Sequence, residues 1–135
     1  MHKDDESSET PDFEVGPLEE LAQVLAASNV LILAQSYHSS VALCLDQLEI
    51  AERAKDWATI KEQAHDLKGI AGTFGARRLQ ELADQLEHLS AEQDSDRIAP
   101  MLEDMRRTSL TAQNAIEKLL AAGAPGESKK AQSGR

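Results

Sequence analysis

The chain has 135 residues, 41% hydrophobic and only 3% aromatic, with a net charge of -10; that suffices for one modest core plus tails and argues against a nucleic-acid partner, since phosphate backbones reward basic surfaces. A single cysteine, Cys44, excludes an internal disulfide and suits a reducing compartment. No run approaches the roughly 18 apolar residues of a membrane span, and the acidic start lacks the basic and apolar regions of a secretory signal, so the expected location is the cytoplasm.

Residues 1–16 are polar and acidic, with Pro11 inside, and read as a disordered lead-in; the acids from Asp4 to Glu20 carry most of the net charge. Pro17 at a first helical position opens a short helix with Leu18, Leu21, Ala22 and Leu25 on its apolar side. Ser28 or Asn29 then offers an N-cap for a long helix. Its seam is Val30, Ala34, Tyr37, Val41, Cys44, Leu48 and Ala51, with Leu31, Leu33 and Leu45 widening the apolar face enough to touch two neighbours. Asp56 caps a central helix that begins at Trp57, and Gly72 and Gly75 can absorb the reversal after it. Leu79, Leu82, Leu86 and Leu89 stripe the next helix, which the short link makes antiparallel to its predecessor.

Gln93-Asp94-Ser95-Asp96 reads as a polar loop. Beyond it Ile98, Leu102, Met105, Ser109, Ala112, Ile116 and Leu119 form a last seam, with Pro100 tolerable only in the first turn. Gly123-Ala124-Pro125-Gly126 stops that helix, and residues 123–135 read as a flexible tail. The expected fold is therefore all-α: residues 17–122 form an antiparallel four-helix bundle with a short additional N-terminal helix.

The central helix carries the chemistry. At about 100° per residue, Ile60, Ala64, Leu67, Ala71 and Phe74 share one buried stripe, and His65 points well away from it. Gly69 and Gly72 lie four and seven residues beyond His65 on its own face, flanked by Lys61 and Lys68. A helix-interior glycine costs about 0.8–1 kcal/mol relative to alanine, so two beside one histidine imply that another macromolecule approaches the imidazole closely. An exposed histidine on a cleared face edged with positive charge is the result.

His65-x-Leu67-Lys68-Gly69, with Gly75 six residues further on, resembles the signature of histidine-containing phosphotransfer (HPt) domains. Asp56-Trp57 before the helix and Gly75-Ala76 with Leu79, Leu82 and Leu86 after it are similar to the family's layout, and the resemblance spans roughly residues 18–122. Ile70 departs from the family's usual small residue but projects away from the His65 face. Glu87 stands where some members have a glutamine that contacts the histidine or its phosphate. The resemblance implies a phosphoryl carrier in a two-component multistep phosphorelay, phosphorylated on His65, with Nε2 as the family's usual atom, and exchanging the group with aspartates of response-regulator receiver domains. By the same resemblance, an upstream histidine kinase would supply it. Lys68 would stabilise phosphoryl charge; Lys61, Gly69, Gly72, Arg77 and Arg78 would form the receiver docking face. No cofactor is implied for this chain, Mg²⁺ being expected on the receiver only. The carrier would be a monomer without membrane insertion.

Other readings have less support in the residues. His2 falls in the lead-in, His38 and His88 read as surface or bundle-edge residues, and the histidines lack the short paired spacings of a metal site. Met101 and Met105 read as packing. Glu87 reads as a surface acid whose closeness to His65 the sequence leaves open. There is no Gly-x-Ser-x-Gly elbow, no Gly-x-x-x-x-Gly-Lys-Ser/Thr loop and no His-Glu-x-x-His pair, so no ATP site and no hydrolase are expected. Two alternatives stay open: the phosphoacceptor segment of a larger chemotaxis-type histidine kinase, against which Met1 and the polar tails weigh, and a non-phosphorylated helical interaction module.

Overall fold

A computed structural model describes residues 10–122. Among them are five helices and no strand: α1 (Gly16–Val24), α2 (Ala27–Arg53), α3 (Trp57–Thr73), α4 (Arg77–Glu92) and α5 (Ser95–Ala121). Helix α3 packs against α2 and α4, and α5 against the same two, closing a four-helix bundle; α1 leans on α2 and α3. None of the helices is long and apolar enough to cross a membrane.

The aliphatic seams supply the core. On α2 the expected residues from Val30 to Ala51 are all buried, with Leu45. Leu31 and Leu33 are not: at 45% and 39% exposure they rotate out of the seam and widen nothing. Helix α2 also starts before Ser28 and Asn29. Leu25 and Ala26 are extended, and the Ala26 carbonyl accepts from the amides of Asn29 and Val30, so the backbone turn itself starts the helix without a side-chain cap. On α5, Thr108 takes the core position expected of Ser109, satisfying its hydroxyl by donating to the Asp104 carbonyl at 2.7 Å.

Two carboxylate caps set the starts of α3 and α5. Asp56 accepts from the Thr59 amide at 3.2 Å and Asp94 from the Arg97 amide at 3.3 Å. The second cap makes Ser95 and Asp96 helical, so the polar loop is shorter than expected, and it places Pro100 inside the helix beyond the first turn. Pro100 and Asp96 are both exposed, and water on that face can satisfy the carbonyl that Pro100 leaves without a donor.

The α3–α4 turn positions everything that follows. Gly75 adopts φ +80, a left-handed conformation that costs other residues about 1–2 kcal/mol. Its carbonyl accepts the Glu14 amide at 2.7 Å, and a Cβ there would overlap the Glu14 carbonyl oxygen. Gly72, by contrast, keeps a helical backbone without positive φ, and joins the reversal only through its carbonyl, which accepts the Gly75 amide at 3.3 Å. The acidic lead-in expected over residues 1–16 is thus held down from residue 10 onward: Phe13 packs on the core, and Glu14 bonds both Gly75 and the Arg77 guanidinium. One apolar side chain and the room left by a glycine tether a segment that looks disordered by composition. Residues 1–9 and the tail at 123–135 lie outside the described residues.

Gly75→Ala should lower stability by about 1–3 kcal/mol, combining the backbone penalty with displacement of the Glu14 segment. Urea unfolding measures this, and an unchanged midpoint would show that the turn does not depend on the glycine.

Candidate functional site

His65 stands on the face of α3 that leans toward α4, with 65% of its side chain exposed. Behind it Ile60, Ala64, Leu67 and Ala71 anchor α3 in the core. Helix α4 presents a second stripe, polar rather than apolar, at Gln80, Asp84 and Glu87. Because the helices run antiparallel, these meet α3 in reverse order: Glu87 faces His65, Asp84 faces Lys68, and Gln80 faces Gly72.

The contacts form one chain of charges. His65 Nδ1 lies 3.2 Å from Glu87 Oε2. The other Glu87 oxygen lies 3.1 Å from Lys68 Nζ, which also donates to Asp84 Oδ1 at 3.1 Å. Glu87 is the least accessible member at 19% exposure. The Lys68 ammonium holds the Glu87 carboxyl below the ordinary carboxylate range, and Glu87, then Asp84, raise Lys68 in turn. An ionised carboxylate can only accept, so a neutral His65 must carry its proton on Nδ1 to bond Glu87. Nε2 is then left with a free lone pair on an exposed ring. Glu87, whose closeness to His65 the sequence leaves open, is the residue that orients the histidine.

The other expected site residues divide. Gly69 faces open space, and Lys61 is exposed one turn before His65. Gly72 is not part of the cleared surface, because a Cβ there would come within 2.6 Å of Gln80 Nε2; the missing side chain makes room for α4. Arg77 lies on the same α4 stripe but is engaged by Glu14 at 2.7 Å and Gln80 at 2.9 Å. Arg78 turns to the opposite side of α4, toward Glu81 and, at 4.0 Å, Asp104 of α5. The rim beside His65 is also less basic than the α3 sequence suggests, since Lys68 is shared between two carboxylates of α4. Asp84 escaped sequence analysis altogether. The available signal was the four-three spacing of Gln80, Asp84 and Glu87, the polar counterpart of the leucine stripe.

The main clefts among the described residues are not lined by His65. A cleft of about 590 Å³ lies on the opposite seam, between α2 and α5, lined by His38, Leu45, Arg106 and Gln113 among others. Among the described residues, no group of three His, Cys, Asp or Glu side chains converges as a metal site. The exposed imidazole and the open helix face beside it suit a macromolecular partner.

Comparison with known proteins points the same way. The family model described as Hpt domain matches residues 32–124, which include the whole of α3 and α4. The crystal structure of histidine-containing phosphotransfer protein B from Pseudomonas aeruginosa PAO1 superposes with a TM-score of 0.77 at 21% identity, over 82% of this chain and 96% of that one. At that identity the likeness is one of fold. No curated protein matches the chain.

Because Lys68 is the first cause of the depressed Glu87 carboxyl, Lys68→Met should move its titration back up toward the ordinary carboxylate range. The sign follows from linkage: an acid whose folded pKa is depressed adds stability above its unfolded pKa and loses it as pH falls through the folded one. The Glu87 contribution should therefore persist to lower pH in the wild type than in the variant. Carboxyl ¹³C shifts of Glu87 followed against pH measure it, and identical midpoints would show that the ion pair does not act on Glu87.

Proposed function

The chain belongs to the Hpt-domain family of histidine-containing phosphotransfer domains, and from that premise we propose that it is a phosphoryl carrier in a multistep phosphorelay, loaded on Nε2 of His65. The observation that carries this reading is the 3.2 Å contact between His65 Nδ1 and the Glu87 carboxylate, which orients the ring and leaves the other nitrogen exposed and nucleophilic. The donor and acceptor are aspartates of receiver domains. A histidine kinase stands upstream, and the relay operates in the cytoplasm.

The transfer follows from these atoms. The Nε2 lone pair attacks the phosphorus of a receiver's aspartyl phosphate in line with the aspartyl oxygen. As the P–N bond forms the P–O bond breaks, and its electron pair leaves on the aspartate carboxylate. Nδ1 keeps its proton, so the phosphorylated ring carries positive charge directly against Glu87, which stabilises it electrostatically. The reverse sequence hands the group to the next receiver. Lys68, one helical turn from His65, supplies an ammonium for the phosphoryl oxygens. Mg²⁺ and the in-line pocket belong to the receiver. This chain contributes a positioned nucleophile and nearby charge, with no ATP site of its own, so it is a carrier rather than an enzyme.

Two variants tested side by side with a receiver domain phosphorylated by acetyl phosphate examine this function. His65→Gln should unfold like the wild type, since the side chain is exposed, and accept no acid-labile phosphate. Stoichiometric labelling of that variant would overturn the assignment. Gly69→Gln should gain about 0.5–1 kcal/mol of stability by removing a helix-interior glycine with no neighbour in its way, yet transfer more slowly because the new side chain stands in the receiver's approach. Loss of stability and transfer together would point instead to a packing role for Gly69.

A further inference from the structure

Asp84 has no part in the reaction as derived so far, yet it takes one of the hydrogen bonds of the ammonium that serves the phosphoryl group. Lys68 Nζ sits 3.1 Å from Asp84 Oδ1 and 3.1 Å from Glu87 Oε1. A phosphoryl group on Nε2 would stand across the imidazole from Glu87, because the two ring nitrogens point in opposed directions. Lys68 cannot serve that group from its present seat without weakening one of its two contacts. The two carboxylates are not equivalent. Glu87 is 19% exposed and holds the imidazole, whereas Asp84 is 48% exposed and its carboxylate bonds Lys68. The Asp84 contact, although a hydrogen bond, is better screened by water and is not needed to orient His65, so it is the one Lys68 can give up.

We propose that Asp84 is a positioning residue that competes with the phosphoryl group for Lys68, so that loading His65 moves the ammonium from Asp84 to the phosphoryl oxygens and Asp84 lowers the share of phosphate that His65 retains. This inference rests on His65 being the phosphoacceptor. Its consequence is functional: a carrier must release its group as readily as it takes it, and a carboxylate that reclaims the ammonium favours release. The Asp84 backbone carbonyl, which His88 Nδ1 contacts at 2.8 Å, is untouched by side-chain replacement, so the amide variant keeps the local helix intact.

The test is a double-mutant cycle on the full chain with Asp84→Asn, Lys68→Met and both together. Each variant is equilibrated with one phosphorylated receiver domain, and the phosphate on His65 and on the receiver aspartate is quantified. Asp84→Asn should raise the equilibrium constant for transfer to His65 by about two- to fivefold, the range equivalent to an exposed ion pair. In the Lys68→Met background the same change should have no effect, because the residue acts through the ammonium. An Asp84→Asn equilibrium equal to or below that of the wild type overturns the proposal. So does an increase of the same size without Lys68, which would mean direct repulsion between Asp84 and the phosphate. If the wild-type chain takes up no phosphate at all, the acceptor reading falls and the role of Asp84 with it; a loaded wild type with an unresponsive Asp84→Asn removes the role of Asp84 alone.

Discussion

The Glu87 carboxylate is the point on which the functional face turns, because one of its oxygens meets the His65 ring and the other the Lys68 ammonium. That contact is worth little in bulk stability, as exposed ion pairs are. Its value is in orientation: it fixes the imidazole, selects the nitrogen that carries the proton in the neutral ring, and under the proposed function would give the positive charge of a phosphorylated ring a counter-ion. It exists only because α3 and α4 meet in one antiparallel register. That register depends in turn on the leucine stripe of α4 packing against the α3 seam and on Gly75, whose left-handed backbone and missing side chain allow the tight reversal beneath the Glu14 segment.

Electrostatically the face is more balanced than its α3 residues suggest. The protein carries a net charge of -10, and Lys68, linked to the histidine through Glu87, is shared by two carboxylates. In the proposed relay a receiver's acidic pocket would therefore not meet a simply positive surface. Under the proposed competition, charge would become available when a phosphoryl group takes Lys68 from Asp84, which would tie the electrostatics of this site to the transfer event more than to long-range encounter. The open backbone at Gly69 supplies the steric half of the same arrangement.

How much of this could be read beforehand depends on whether a feature lies within one helix or between two. The α3 seam, the outward direction of His65 and the Asp56 cap all follow from periodicity and local chemistry, and the structure has them where the residues imply. Asp84 is hidden in the sequence, and the closeness of Glu87 to His65 is left open there, because their meaning lies in a register between helices, which spacing along one chain does not specify. Gly72 looked like part of the open face for the same reason: the helical wheel places it beside His65 but cannot show Gln80 filling the space above it. Arg78, adjacent to Arg77, points around the other side of α4 toward Asp104, a direction set by the α4–α5 packing. Phe13 and Glu14 were obscured by the acidic composition around them, although a lone aromatic in a polar stretch is the residue that would tether it.

The central claim is that Glu87 holds His65 with its proton on Nδ1, leaving Nε2 as the nucleophile. Long-range ¹H–¹⁵N spectra of the His65 ring, recorded on the intact protein at a pH where the imidazole is neutral, test this most directly. The account predicts a protonated, pyrrole-like Nδ1 and an unprotonated, pyridine-like Nε2. A ring protonated on Nε2, with its lone pair on Nδ1, would contradict it.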